Sequence, residues 1–171
     1  MARLMSTPAL GFDPTTFRRT LGMFATGITV ITAQARDGSL IGLTVNSFNS
    51  VSLEPPLIVW SLANSSTVRE ALEDCEYYAV NVLAEDQEAL SNLFASKAAD
   101  RFAGVEWEPG LGGAPLLAGC CAAFEVRNTL RYPGGDHVIF IGQVERCDRS
   151  ERDPLVFFNG RYSRLMAPAA R

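Results

Sequence analysis

The 171-residue chain has a single histidine, His137. That excludes every metal motif that needs two, the H-E-x-x-H of zinc sites included, and no metal is expected. The four cysteines, Cys75, Cys120, Cys121 and Cys147, contain no C-x-x-C pair, and Cys120 and Cys121 adjoin inside an apolar run. They read as buried thiols in a reducing compartment. No apolar run approaches the roughly 20 residues that cross a bilayer, so no membrane span is expected. The opening MARLMSTPALGFDP has no apolar core of signal-peptide length; residues 1–12 read as a short tail of a cytoplasmic protein. Fifteen basic residues stand against nineteen acidic ones, for a net charge of −4, with no Lys/Arg block. The electrostatic footprint of a nucleic-acid binder is missing.

Familiar catalytic fingerprints are absent too. There is no P-loop and no G-x-S-x-G elbow, and the one histidine would have to serve any Ser/His or Cys/His nucleophile alone. The nearest approach to G-x-G-x-x-G begins Gly110-Leu111-Gly112 and meets Pro115 where the third glycine belongs, so no Rossmann fingerprint exists.

What is present reads as one domain, 13–165, with residues 166–171 as a second tail. Asp13-Pro14 supplies an N-cap and an N1 proline, and Phe17, Leu21 and Phe24 recur at helical spacing until Gly27. GITVITAQA, a turn at Asp37-Gly38, LIGLTVNSF and PPLIVWSLA then read as consecutive strands. Thr67 with Glu70 fits a capping box that opens a helix through about Cys75. YYAVNVL is a further strand, and EDQEALSNLFAS sets Leu90, Leu93 and Phe94 on one helical face. After the Gly/Pro-rich EPGLGGAP come the strands CCAAFEVRNTL, HVIFIGQVERC and PLVFFNGRYSRL, the first two separated by Gly134-Gly135-Asp136. Six or seven strands with two or three interspersed helices predict a mainly β, α+β fold, an antiparallel barrel rather than a doubly wound sheet.

Inside the apolar strands runs a series of small polar residues: Gly42, Thr44, Asn46, Ser47, Ser50 and Ser52. By periodicity these either face solvent, bond neighbouring backbone, or meet a ligand. The string GLTVNSFNSVSLEPP, residues 42–56, resembles the signature of the flavin reductase-like domain family. The likeness extends from Phe17 and Ala25-Thr26-Gly27 through Gly135-Asp136-His137 and Ile141-Gly142 to Pro154-Leu155 and Gly160-Arg161-Tyr162.

That resemblance implies a homodimeric split β-barrel of the FMN-binding type. It also implies an NAD(P)H-dependent flavin reductase using FMN or FAD, with NADH or NADPH, to feed reduced flavin to a separate monooxygenase. Carried over by position, Thr44, Val45, Asn46 and Ser47 would line the isoalloxazine, and Ser50, Val51 and Ser52 would also bind the cofactor. Ser61, Leu62, Ala63, Ser65, Ser66 and Thr67 would follow the ribityl chain and phosphate, where hydroxyls and free amides suit an anion or an ordinary N-cap. Ser96, Lys97, Arg101 and Phe102 match a family stretch that would neutralise phosphate charge, a place otherwise read as a solvated loop. His137 would act catalytically beside the nicotinamide, and Tyr162 would close over the cofactor. Two rivals keep the barrel: a flavin oxidase of the pyridoxine-phosphate type, and a non-catalytic flavin-binding module.

Overall fold

The computed structural model describes residues 11–166, so the expected tails, apart from Gly11, Phe12 and Met166, lie outside the described residues. In chain order the elements are α1 (Pro14–Leu21), β1 (Thr26–Gly27), β2 (Thr29–Gln34), β3 (Leu40–Val45), β4 (Asn49–Leu53), β5 (Pro56–Ala63), α2 (Arg69–Asp74), β6 (Tyr77–Val82), α3 (Glu88–Ala95), β7 (Trp107–Pro109), β8 (Pro115–Leu117), β9 (Ala122–Gly134), β10 (His137–Arg149), β11 (Val156–Phe158) and β12 (Arg161–Ser163).

Seven strands form one antiparallel sheet in the order β3-β2-β6-β9-β10-β5-β4. Its ladder is open between β3 and β4, yet Ile41 of β3 and Ile58, Trp60 and Leu62 of β5 share one buried cluster with Ile31, Val80, Val126 and Phe140. Strands near opposite ends of the sheet can meet in one core only if the sheet curls on itself, which is the expected split barrel. Within it Trp60 and Phe140, cross-strand partners, stack at 4.4 Å.

β2 shows why part of this sheet reads as a continuous apolar run: its first five residues are all buried. Period two sends Ile31 and Ala33 into the barrel, while Val30 turns outward into a second cluster with Ile28, Leu83, Phe94, Leu117 and Leu155. Helix α3 and the β7–β8 and β11–β12 hairpins supply that outer layer. Two buried polar residues hook it in place. Asn81 Oδ1 accepts from the Leu117 N–H at 2.8 Å, its Nδ2 donates to Thr32 Oγ1 at 3.0 Å, and Thr32 Oγ1 donates to the Pro115 carbonyl at 2.5 Å. Gly42 is required by the same layer, since a Cβ there would stand 2.3 Å from the Phe94 ring.

Several boundaries differ from the sequence reading. α1 begins as expected, with Asp13 Oδ1 accepting from the Thr16 N–H at 2.8 Å, but it stops at Leu21 instead of continuing toward Gly27. Thr26 and Gly27 pair with Phe157 and Val156, and strand pairing takes the chain away from the helix axis. The capping box does not form either: α2 starts at Arg69 behind Val68, with no side-chain cap, so Thr67 lies one residue too early. EPGLGGAP is not plain loop but the turn of the β7–β8 hairpin. PLVFFNGRYSRL folds back at Asn159-Gly160, both left-handed, into β11 and β12. The stretch between LIGLTVNSF and PPLIVWSLA contains β4, paired to β5 with an irregular register between Ser50 and Ser52. The β9–β10 ladder carries two register shifts, at Ile141/Gly142 and Val144/Arg146.

Not all four thiols are buried. Cys75 and Cys121 are, Cys120 is half-buried, and Cys147 is exposed on β10, beyond the part of the strand that β5 covers. Burial pushes the Cys120 thiol up to about 12.

Candidate functional site at one end of the barrel

The C-terminal ends of β3 and β5 and the first residue of β10 meet at one end of the barrel. Ser47, just past β3, accepts from the Ser61 N–H at 3.0 Å through Oγ, which lies 3.2 Å from the Ser61 carbonyl to which it can donate. This carries the β4–β5 register, Asn49 opposite Val59, two residues further toward the exit of β3. Ser61 lies opposite Ile139, and Ala63 lies opposite His137. Residues 58, 60 and 62 point into the barrel, so Ser61, Ala63 and His137 lie on its outer face. Leu62 departs from its expected role, because its side chain is in the core and only its backbone is near the site.

The backbone around this point has donors to spare. Among the described residues, the N–H groups of Asn46, Ser47 and Phe48, and those of Ser65, Thr67 and Val68, find no acceptor in the chain. Both segments are connections rather than strands, and the side chains of Asn46, Ser47, Ser65 and Thr67 are exposed. Thr44 and Ser52 are committed elsewhere: Thr44 Oγ1 donates to the Ser91 carbonyl at 2.7 Å and Ser52 Oγ to the Pro55 carbonyl. Val45 packs on the barrel core, Ser66 is half-buried, and Ser50 and Val51 are exposed on β4.

His137 is half-exposed, with Nδ1 2.7 Å from Asp136 Oδ1. That hydrogen bond, reinforced by charge, holds the Asp136 carboxyl below the usual carboxylate range. With Nδ1 facing Asp136, Nε2 is left for a ligand. Asn64 fastens the neighbouring hairpin turn: its backbone N–H donates to the Asp136 carbonyl at 2.8 Å and its Nδ2 to the Gly135 carbonyl at 3.2 Å.

The two other groups of expected residues are largely taken up within the chain. Arg101 donates from Nη1 to the Gly42 carbonyl at 2.8 Å and from Nη2 to the Ser96 carbonyl at 2.5 Å, leaving a buried Nε without partner. Ser96 Oγ donates to the Leu93 carbonyl, Phe102 packs edge-on against Phe94, and Lys97 is exposed. Tyr162 does not stand free to close over a cofactor. Its hydroxyl bonds Ser91 Oγ at 2.9 Å and donates to Asn92 Oδ1 at 3.0 Å, while its ring packs on Phe157.

Residues 21–166 match the flavin reductase like domain. The chain belongs to that family. Over 155 residues it is 42% identical to the FMN reductase (NADH) SmoA of Agrobacterium fabrum, covering 91% of this chain and 88% of that protein. Over 154 residues it is 39% identical to HsaB, the reductase subunit of a flavin-dependent monooxygenase of Mycobacterium tuberculosis, covering 88% and 82%. A probable flavin reductase of Rhizobium meliloti is 44% identical, but this chain spans only 49% of it. Among solved structures, the NADH:FAD oxidoreductase SgcE6 of Streptomyces globisporus, in complex with NAD and FAD fragments, superposes with a TM-score of 0.88 at 37% identity. The alignment covers 95% of this chain and all of that one, so this flavin reductase-like chain shares its whole architecture with a relative of known fold.

Sequence reasoning passed over Ser91 as a site-forming residue and gave no sign of the tie between Asn64 and the hairpin turn. Asn64 sits in a run read as a strand stop, and its partner Gly135 is 71 residues away. Ser91 looked like a polar residue on an amphipathic helix, although it is fully buried between Thr44 and Tyr162.

Proposed function

We propose that the protein transfers a hydride from NADH or NADPH to FMN or FAD and supplies the reduced flavin to a separate monooxygenase. The observation that carries this reading is the pair of connections, Asn46–Phe48 and Ser65–Val68, whose unused amide donors sit at the barrel end that also presents His137. An isoalloxazine edge carries the ring nitrogens and carbonyl oxygens that such donors recognise, so the residues present fit a flavin. Asn46, Ser47 and Phe48 would hold the ring by backbone N–H groups, with the Ser47–Ser61 bond keeping that segment in place. Ser65, Thr67 and Val68 offer amides to the phosphate.

When bound, flavin and nicotinamide supply the hydride acceptor and donor between them. The chain's own work is orientation. Asp136 fixes the imidazole through Nδ1, and Nε2 can bond the nicotinamide carboxamide or stabilise charge. No covalent step by the protein is required.

A second copy of the chain completes the assembly in this reading. On the outer sheet face Leu130 and Tyr132 of β9 are 47% and 50% exposed, beside Ile139 and Ile141 of β10 and Val59 of β5. A contiguous apolar face of this kind calls for a cover, and it borders Ser61, Ala63 and His137. The cytoplasm, where the four free thiols stay reduced, is the expected compartment.

The test is to follow the nicotinamide absorbance band with purified protein and NADH, adding no flavin, FMN or FAD in parallel. Decay that depends on added flavin is expected and ranks the two flavins. No decay above the blank with either flavin, repeated with NADPH, would overturn the reading in favour of a non-catalytic flavin-binding module.

A further inference from the structure

Beside the site, α2 and the end of the β9–β10 hairpin enclose a recess of about 350 Å³ whose walls include Asn64, Arg69, Glu73, Arg131, Tyr132 and His137. Its construction is specific. Asn64, already bonded to the hairpin turn, faces Arg69 with its Oδ1 3.5 Å from Nη1, and Arg69 Nε lies 3.1 Å from Glu73 Oε1. One arginine of the recess is therefore matched by one carboxylate.

Arg131 is not matched. It lies opposite Phe140 on β10 and so on the strand face that turns toward the barrel interior. At this height β9 has run past β6, whose pairing ends at Arg127, and Arg131 is left exposed. Among the described residues it has no ion-pair partner. Arg127, four residues earlier on the same strand, has two, Glu145 at 2.8 Å and Glu76 at 3.6 Å. The recess thus carries one surplus guanidinium. Its volume accommodates a phosphate ester. The planar donors of an arginine are matched to phosphate oxygens.

We infer that this recess is a phosphate subsite for one of the two nucleotide substrates, with Arg131 as its principal cation and Asn64 and Arg69 shaping its wall. The inference rests on the reductase reading for the identity of those substrates. The shared chemistry is a phosphate monoester or diphosphate, which both the nicotinamide dinucleotide and the flavin nucleotide carry.

The test is equilibrium binding of two probes, ADP-ribose, which has the diphosphate without nicotinamide or flavin, and FMN. Each is titrated into the wild type, Arg131→Ala, Arg131→Lys and the control Arg19→Ala, whose side chain lies on α1 away from the recess. Loss of a charge-assisted bidentate contact should weaken one probe by roughly tenfold in Arg131→Ala, with Arg131→Lys recovering part of it and Arg19→Ala none. Added salt should weaken the wild type more than Arg131→Ala. A loss confined to ADP-ribose assigns the subsite to the nicotinamide dinucleotide; one confined to FMN assigns it to the flavin. Both probes binding Arg131→Ala as they bind the wild type, or neither binding the wild type, would overturn the subsite. Neither titration needs turnover, so a protein that fails to oxidise NADH would still report on Arg131. Thermal melting of Arg131→Ala alongside Arg19→Ala separates lost binding from lost folding.

Discussion

The two ends of β3 and its neighbours are built on opposite principles. Along β2 and β6 the buried side chains of Asn81 and Thr32 are answered inside the protein: they bond each other and the β8 backbone, and Phe94 fills the space that Gly42 leaves. A few residues further on, at Asn46–Phe48 and Ser65–Val68, amide donors stand without acceptors. Buried side-chain hydrogen bonds and close packing make the first region a scaffold. Unsaturated backbone held beside that scaffold makes the second a place where a ligand can compete for bonds that the chain itself does not use.

The contrast can be broken by mutation. Phe94→Ala, which empties a fully buried position in the outer layer, should lower unfolding free energy by about 3–5 kcal/mol, read from urea denaturation. Asn81→Ala leaves the Leu117 N–H and the Thr32 hydroxyl short of partners and should cost about 1–3 kcal/mol by the same measurement. His137→Ala should do the reverse of both: kcat/KM for the nicotinamide falls by roughly tenfold or more while the melting temperature moves little, since the half-exposed side chain bonds only Asp136. A melting temperature that falls as far as in Asn81→Ala would mean that the two regions are not separable. The smallest effect expected is chemical. A thiol reagent at mildly alkaline pH should modify Cys147 first, because Cys147 is exposed whereas burial raises the pKa of Cys75, Cys120 and Cys121. Rapid labelling of all four in the folded protein would show that the scaffold opens readily.

Much of the scaffold was legible in the residues. The β-branched strands, the Asp37-Gly38 and Gly134-Gly135-Asp136 turns and the Asp13-Pro14 helix start are local signals, and each appears where the pattern puts it. What local pattern could not supply was closure. Ile41 of β3 shares a core with Ile58 and Trp60 of β5 only because the sheet curls, and no spacing rule anticipates that. The Asn159-Gly160 hairpin was available as a turn signal, but an apolar flank on one side made the segment read as a single strand. For the site, the short polar run from Thr44 to Ser52 includes the Asn46–Phe48 connection on which the proposed site rests. The roles inside it were set by distant partners. Ser91 claims Thr44 and Tyr162, and the Gly42 and Ser96 carbonyls claim most of Arg101.

The two irregularities of the β9–β10 hairpin compensate one another. One extra residue, Thr129, sits on β9 and one, Glu145, on β10, so the pairing slips by one position and then returns to its original register. Deleting either residue alone would leave its flanking pairs adjacent in a regular ladder with inward and outward positions unchanged, whereas deleting a paired residue between them would turn one stretch of strand inside out. Deleting both Thr129 and Glu145 would likewise leave inward and outward positions unchanged at the two ends. Length changes in this hairpin are therefore expected to be tolerated at Thr129 and Glu145 and refused at the paired positions, a constraint on how the chain can be shortened or grafted without disturbing its rim.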